Sequence, residues 1–165
     1  MSDVPVPGER AVLVEYLDHF RATFERQLAD LEPEQLARRP IAPSTLSLLG
    51  LLRHLAAVEY SWFRRVMEHR LDLPKMWGKD ERRDADFDDV VADRAMVDEA
   101  WTAWRTEVDH ARAFVETAES VEVLGAHDDG PIELREVLVH LIEEYARHCG
   151  HADLLREVID GRTGL

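Results

Sequence analysis

Apolar residues recur at spacings of three and four along four long stretches of the chain, and nowhere do they alternate convincingly with polar ones. Steps of three and four gather side chains on one face of an α-helix, whereas alternation would mark a half-buried strand. The first stretch runs from about Glu9 to Leu31, with Leu13, Leu17, Phe20, Phe24, Leu28 and Leu31 on its stripe. Pro33 stops it, and Pro40 and Pro43 keep the following segment open. The second begins near Ser44 or Ser47, either suited to capping a first turn, and continues to about Arg70 before Pro74. Its inward positions are Leu48, Leu51, Leu52, Leu55, Val58, Trp62 and Val66.

The third stretch spans about Arg94 to Ser120, with Val97, Trp101, Trp104, Val108, Ala111, Val115 and Ala118 on its stripe. A polar break, GAHDDGP, follows, and Pro131 is expected to open a fourth helix that ends at Asp160 before Gly161. That last stripe reads Leu134, Leu138, Leu141, Tyr145, His148, Ala152, Leu155 and Ile159. Four such helices predict an all-α fold, a four-helix bundle forming one domain over residues 1–165. The charged connection from Leu71 to Asp93 should hold no more than a short helix. At about 3.3 Å per extended residue it is long enough to let helices two and three run parallel, giving up-down-down-up.

Composition narrows the function. The 165 residues carry a formal net charge of -14, which disfavours nucleic acid and anionic membrane surfaces as partners. Only one cysteine is present, Cys149, so no intrachain disulfide forms; it reads as a small buried residue. The segment MSDVPVPGER lacks the pattern of a secretory signal, and no apolar run reaches the roughly 18 residues of a membrane span. A cytoplasmic protein is the expectation.

Of the eight histidines, His19, His69, His110 and His127 fall in no recognisable pattern. The fourth helix, in contrast, reads HLIEEYARHCGH and sets His140, Glu144, His148 and His151 at steps of four, four and three. His54, in LLGLLRHLAAVEYSW, points to the edge of the core. If helices two and four are antiparallel neighbours, His54 lies about 10 Å from the start of its helix and His148 about 16 Å from the end of its own, heights that agree roughly. His54, Glu144 and His148 are therefore the candidate metal ligands. Two imidazoles and one carboxylate leave a divalent ion free positions, as in catalytic sites. His151 is a fourth ligand, an outer partner or a proton carrier, and the last is its candidate catalytic role. The singly spaced Glu107–His110 pair does not suffice for a di-iron site, and H-E-x-x-H is absent.

The pairing of LLRHLAAVEYSWF with HLIEEYARHCGHADLLREVIDG resembles the DinB-like superfamily, over nearly the whole chain. Glu144, where many members have a histidine, makes it similar to the mycothiol-dependent maleylpyruvate isomerase branch. The resemblance implies an up-down-down-up bundle, a homodimer, and a metal held by His54, Glu144 and His148. It also implies a low-molecular-weight thiol of the mycothiol type, activated for transfer to a small electrophile or for isomerisation. Zinc is the first expectation for the ion, with nickel or iron as alternatives. A cleft bordered by Trp62, Trp77 and Tyr145 would then bind the thiol. The competing reading is a non-enzymatic stress or interaction protein whose site is structural or empty.

Overall fold

The computed structural model describes residues 7–164; most of the segment read against a secretory signal lies outside them. Helix α1 covers Glu9–Leu28 and ends three residues before Leu31, because the chain turns at Asp30, whose φ is 61°. Leu31 stays in the core even so. Pro33, expected only to break the helix, instead occupies the first turn of a short α2, Pro33–Ala37. There its missing N–H costs nothing, and Glu32 and Gln35 cap the exposed backbone reciprocally.

Ser47 opens α3, Leu48–Tyr60, by accepting the Gly50 N–H at 3.1 Å. The helix then widens into a π-helical stretch over Ser61–Met67. The connection to the next long helix holds a 3₁₀ turn at Met76–Gly78 and a four-residue α4, Ala85–Asp88. Gly50 lets α4 approach α3 closely, since a Cβ there would sit 3.1 Å from the Phe87 ring. Helix α5, Arg94–Thr117, starts on an Asp93 cap.

A hairpin of two strands follows, β1 at Leu124–His127 and β2 at Gly130–Glu133. This corrects the expectation of no strands and of a helix starting at Pro131. Asp128 and Asp129 form a two-residue loop, Gly130 takes a φ of 123°, and Pro131 pairs within a ribbon that has only edges, where proline is tolerated. Helix α6 begins at Leu134, capped by Glu133 with Glu136, and runs to Asp160, where Gly161 closes it in the left-handed conformation.

The long helices meet over a shared core. Helix α1 packs chiefly along α6, α3 along α5, and α3 also along α6. Phe24, Leu51, Leu55, Phe63, Trp104, Leu138 and Leu141 lie at its centre. Among the described residues no helix is long and apolar enough to cross a membrane.

Candidate metal centre

His54 and Glu144 are half-buried and His148 is buried, and one ligand atom from each lies within 4.8 Å of the others. Their placement follows from the two helices. On α6, Glu144 and His148 are one turn apart and share a face. On α3, His54 stands two turns beyond the Ser47 cap, opposite that face, while Trp62 on the π-helical stretch that follows meets His140. Glu144 Oε2 lies 3.5 Å from His54 Nε2 and 3.3 Å from His148 Nε2. A tetrahedral ion with bonds of about 2.1 Å sets its ligands roughly 3.4 Å apart, so the carboxylate-to-imidazole spacings suit one.

The outer nitrogens of both rings are occupied. His54 Nδ1 lies 2.9 Å from Asp86 Oδ2, while its Nε2 faces Glu144. His148 Nδ1 lies 3.2 Å from His151 Nδ1, so one ring donates to the other. When His148 offers its Nε2 lone pair to an ion, its Nδ1 is the donor and His151 the acceptor. His151 therefore stands behind His148, not among the three ligand atoms.

Electrostatics favour the ionised carboxylate. Hydrogen bonds from His148 and His54 hold Glu144 far below the usual carboxylate range despite partial burial. Burial opposes charge on His54, yet its bonds to Asp86 and Glu144 outweigh that and raise its pKa. Burial and the neighbouring His148 lower that of His151. Asp86 is held down against its burial by His54 and by Lys79, whose Nζ lies 2.5 Å from Oδ2.

The expected cleft residues divide. Trp62 lies on the π-helical stretch, stacked on His127 of β1 (centroids 5.5 Å, interplanar angle 10°) and 4.8 Å from the His140 ring. His140 Nε2 in turn is 3.7 Å from Glu144 Oε1, which links this aromatic group to the centre. Trp77 lies under the Arg53 guanidinium and donates its Nε1–H to Arg53 O. Tyr145 does not border a cleft: it is wholly buried, donating to Glu59 Oε1 and accepting from Trp104 Nε1, each at 2.8 Å. Its place on the apolar stripe, one residue past Glu144, turns it inward.

The remaining candidates resolve into ordinary partners. Glu107 pairs with Arg64 at 2.6 Å and His110 with Glu68 at 2.8 Å. Cys149 is buried, its thiol pushed up to about 12 by burial and by Asp153. A cavity of about 560 Å³ opens between α1 and α5 over Val14, Leu17, Val115 and Leu138 and includes no residue of the metal group. Sequence reasoning missed Asp86, Lys79 and His127. Asp86 lies in a run of charge 32 positions from His54, and His127 in a strand too short to carry periodicity, so neither left a signal in the pattern.

A solved structure described as the crystal structure of the conserved protein of locus from Enterococcus faecalis shares the fold, with a TM-score of 0.63. It is 20% identical, and the match covers 92% of this chain and 97% of that one. A search of curated proteins gave no significant match. Residues 12–161 match the sequence model of the family described as Mycothiol-S-transferase, and the chain belongs to that family, within the DinB-like superfamily.

Proposed function

We propose that the protein joins mycothiol, or a closely related low-molecular-weight thiol, through its sulfur to a small electrophile at a metal centre held by His54, Glu144 and His148, the S–H bond giving up its proton as the new bond to sulfur forms. The observation that carries this reading is the convergence of those three ligand atoms in a chain of the mycothiol S-transferase family. A divalent ion there, zinc in the first place, supplies Lewis acidity that lowers the pKa of a thiol brought to it. Everything else is the work of this chain's side chains. Glu144 stays anionic and balances the charge of a cation. His151 stands behind His148 and orients its imidazole. With its Nδ1 taken as acceptor, His151 presents its Nε2–H outward, where it can donate to a group developing charge on the electrophile. Trp62, with His127 and His140 beside it, forms the wall against which a thiol cofactor packs.

The position of His151 also favours a catalytic over a closed structural site. A fourth protein ligand would seal the ion, but the His151 Nδ1 is turned to the outer nitrogen of His148.

The same reading takes the four long helices as an up-down-down-up bundle in a single domain. Cross-helix pairs support it: Glu9 with Arg135 and Gln27 with Asp153 match the two ends of α1 and α6, while Glu25 with Arg105 and Asp18 with Arg112 run the opposite way along α5. A homodimer fits the exposed Leu154 and Val158, one turn apart on α6. A net charge of -14 accords with a small-molecule partner and a cytoplasmic setting.

The test is metal content of the purified protein by elemental analysis, then loss of free mycothiol in the presence of a panel of electrophiles. About one equivalent of a divalent ion, lost in His54→Ala and His148→Ala together with thiol consumption, supports the reading. Metal retained in both variants, or full turnover without metal, overturns it.

A further inference from the structure

The segment between α3 and α5 is anchored more firmly than a passive linker requires. Arg53 donates to Asp86 O at 3.1 Å and to Ala85 O at 3.3 Å, and its guanidinium covers Trp77 at 4.5 Å. Trp77 Nε1 returns a bond to Arg53 O at 2.8 Å. Arg39 holds the carbonyls of Phe87 and Asp88 from the other side. The Phe87 ring stacks on His54 at 5.0 Å, over the surface that Gly50 leaves open. All of these contacts seat one fully buried carboxylate, Asp86, against the back of the His54 ring.

Burying a carboxylate is costly, and a lysine partner alone gives little reason to do it, since such a pair forms as readily at the surface. Asp86 uses a single oxygen, Oδ2, for both His54 and Lys79, while its Oδ1 is buried with no protein partner among the described residues. The arrangement sacrifices hydrogen bonding to aim Oδ2 at His54 Nδ1. A carboxylate behind a ligating histidine fixes the ring's tautomer and rotation and makes its other nitrogen a better donor to a metal.

We propose that Asp86 is a positioning residue of the metal centre, seated by the 77–87 segment so that it holds His54 with its Nε2 lone pair toward Glu144 and His148. Lys79 Nζ, 2.5 Å from Oδ2, offsets the charge of Asp86, so the seat adds no net negative charge to the site. The proposal rests on the metal reading above and goes beyond it by assigning a role to a residue that touches neither ion nor substrate.

The test titrates the full metal-free chain with zinc against a chromophoric chelator, for wild type, Asp86→Asn and Arg39→Ala, with melting curves alongside. Asp86→Asn is expected to weaken zinc roughly 10–100-fold at unchanged stoichiometry, the loss typical of an outer-shell partner. Arg39→Ala loosens the segment but keeps the carboxylate, and should change zinc affinity less than threefold or so on the same scale. With cobalt as the probe, Asp86→Asn should also move the visible ligand-field bands, which a loss of stability alone would not do. Unchanged affinity and cobalt spectrum in Asp86→Asn, with zinc bound normally by the wild type, overturn the proposal and leave the metal site standing. Equal losses in Asp86→Asn and Arg39→Ala overturn it too, because the seat and not the carboxylate would then matter. A wild type that binds neither ion overturns both readings.

Discussion

Arg21 on α1 grips Glu59 on α3 through two hydrogen bonds of 2.8 Å, Nε to Oε1 and Nη2 to Oε2, inside the apolar core. Glu59 Oε1 also accepts from Tyr145 on α6, whose hydroxyl accepts from Trp104 on α5, so four long helices share one buried polar chain. Burial works against the Arg21 charge, but Glu59 more than compensates and raises its pKa. Removing one partner strands the other. Arg21→Met should therefore destabilise the protein by about 3–5 kcal/mol, while Arg21→Met with Glu59→Leu should regain only part of that loss, because the buried Tyr145 hydroxyl then lacks its acceptor. Urea denaturation of the two single variants and the double variant checks this, and additive losses would mean the pair is not coupled.

The ligand set makes its own prediction. On the proposed metal reading, substituting His54, Glu144 or His148 would take a ligand from the ion, so each change should cost more metal affinity than the roughly 10–100-fold expected for an outer partner. Elemental analysis after dialysis against a weak chelator reads this directly. Treatment of the wild type with a strong chelator should abolish thiol transfer, and zinc should restore it.

Trp62 should separate cofactor binding from metal binding. Trp62→Ala is expected to raise the KM for mycothiol by about tenfold, the equivalent of ~1.4 kcal/mol of lost contact, while leaving metal content unchanged. An unchanged KM would remove Trp62 from the cofactor wall.

Cys149 gives a pH prediction with a definite sign. Its thiol titrates near 12 in the folded chain, against about 8.5 in an unfolded one. The unfolded state loses this proton first, so the stability owed to the group is present below about pH 8.5 and declines as pH rises toward 12, by up to ~1.4 kcal/mol per pH unit. Wild type should thus lose stability relative to Cys149→Ala between pH 8 and pH 10. At pH 8 roughly one folded molecule in 10⁴ carries a thiolate, so thiol reagents should label the native protein slowly and the unfolded one at once.

Gly125 seats the hairpin. A Cβ there would approach Met67 Sδ to 2.8 Å and the Val66 carbonyl oxygen to 3.0 Å. Gly125→Ala should push β1 off the π-helical stretch, cost about 1–3 kcal/mol, and change Trp62 fluorescence as His127 shifts away. A melting curve and emission spectrum that both match wild type would show that the hairpin accommodates the methyl group.

The long helices were legible because their stripes are local and repeat over many turns: Leu48 to Val66 and Leu134 to Ile159 each announce a face without reference to any other part of the chain. The candidate metal trio was legible for a related reason. Glu144 and His148 share a helical face by spacing alone, and only the height of His54 had to be argued from an assumed neighbour. Tyr145 was misjudged as a border residue, although its position on the stripe already pointed it inward.

What the pattern could not give was whatever depends on the path of the chain between helices. Two four-residue strands are too short for alternation to stand out, so β1 and β2 read as a polar break, and His127 went without a partner until the hairpin folded it onto Trp62. Asp86 reaches His54 only because Gly50, Arg53 and Arg39 hold α4 against α3. The amino-acid sequence by itself determined the long helices, their buried faces and the shared face of the candidate ligands Glu144 and His148, since all three follow from periodicity within one element. Which side chains stand behind those ligands was decided by tertiary structure, because a hydrogen bond between residues 32 positions apart depends on how the intervening chain packs.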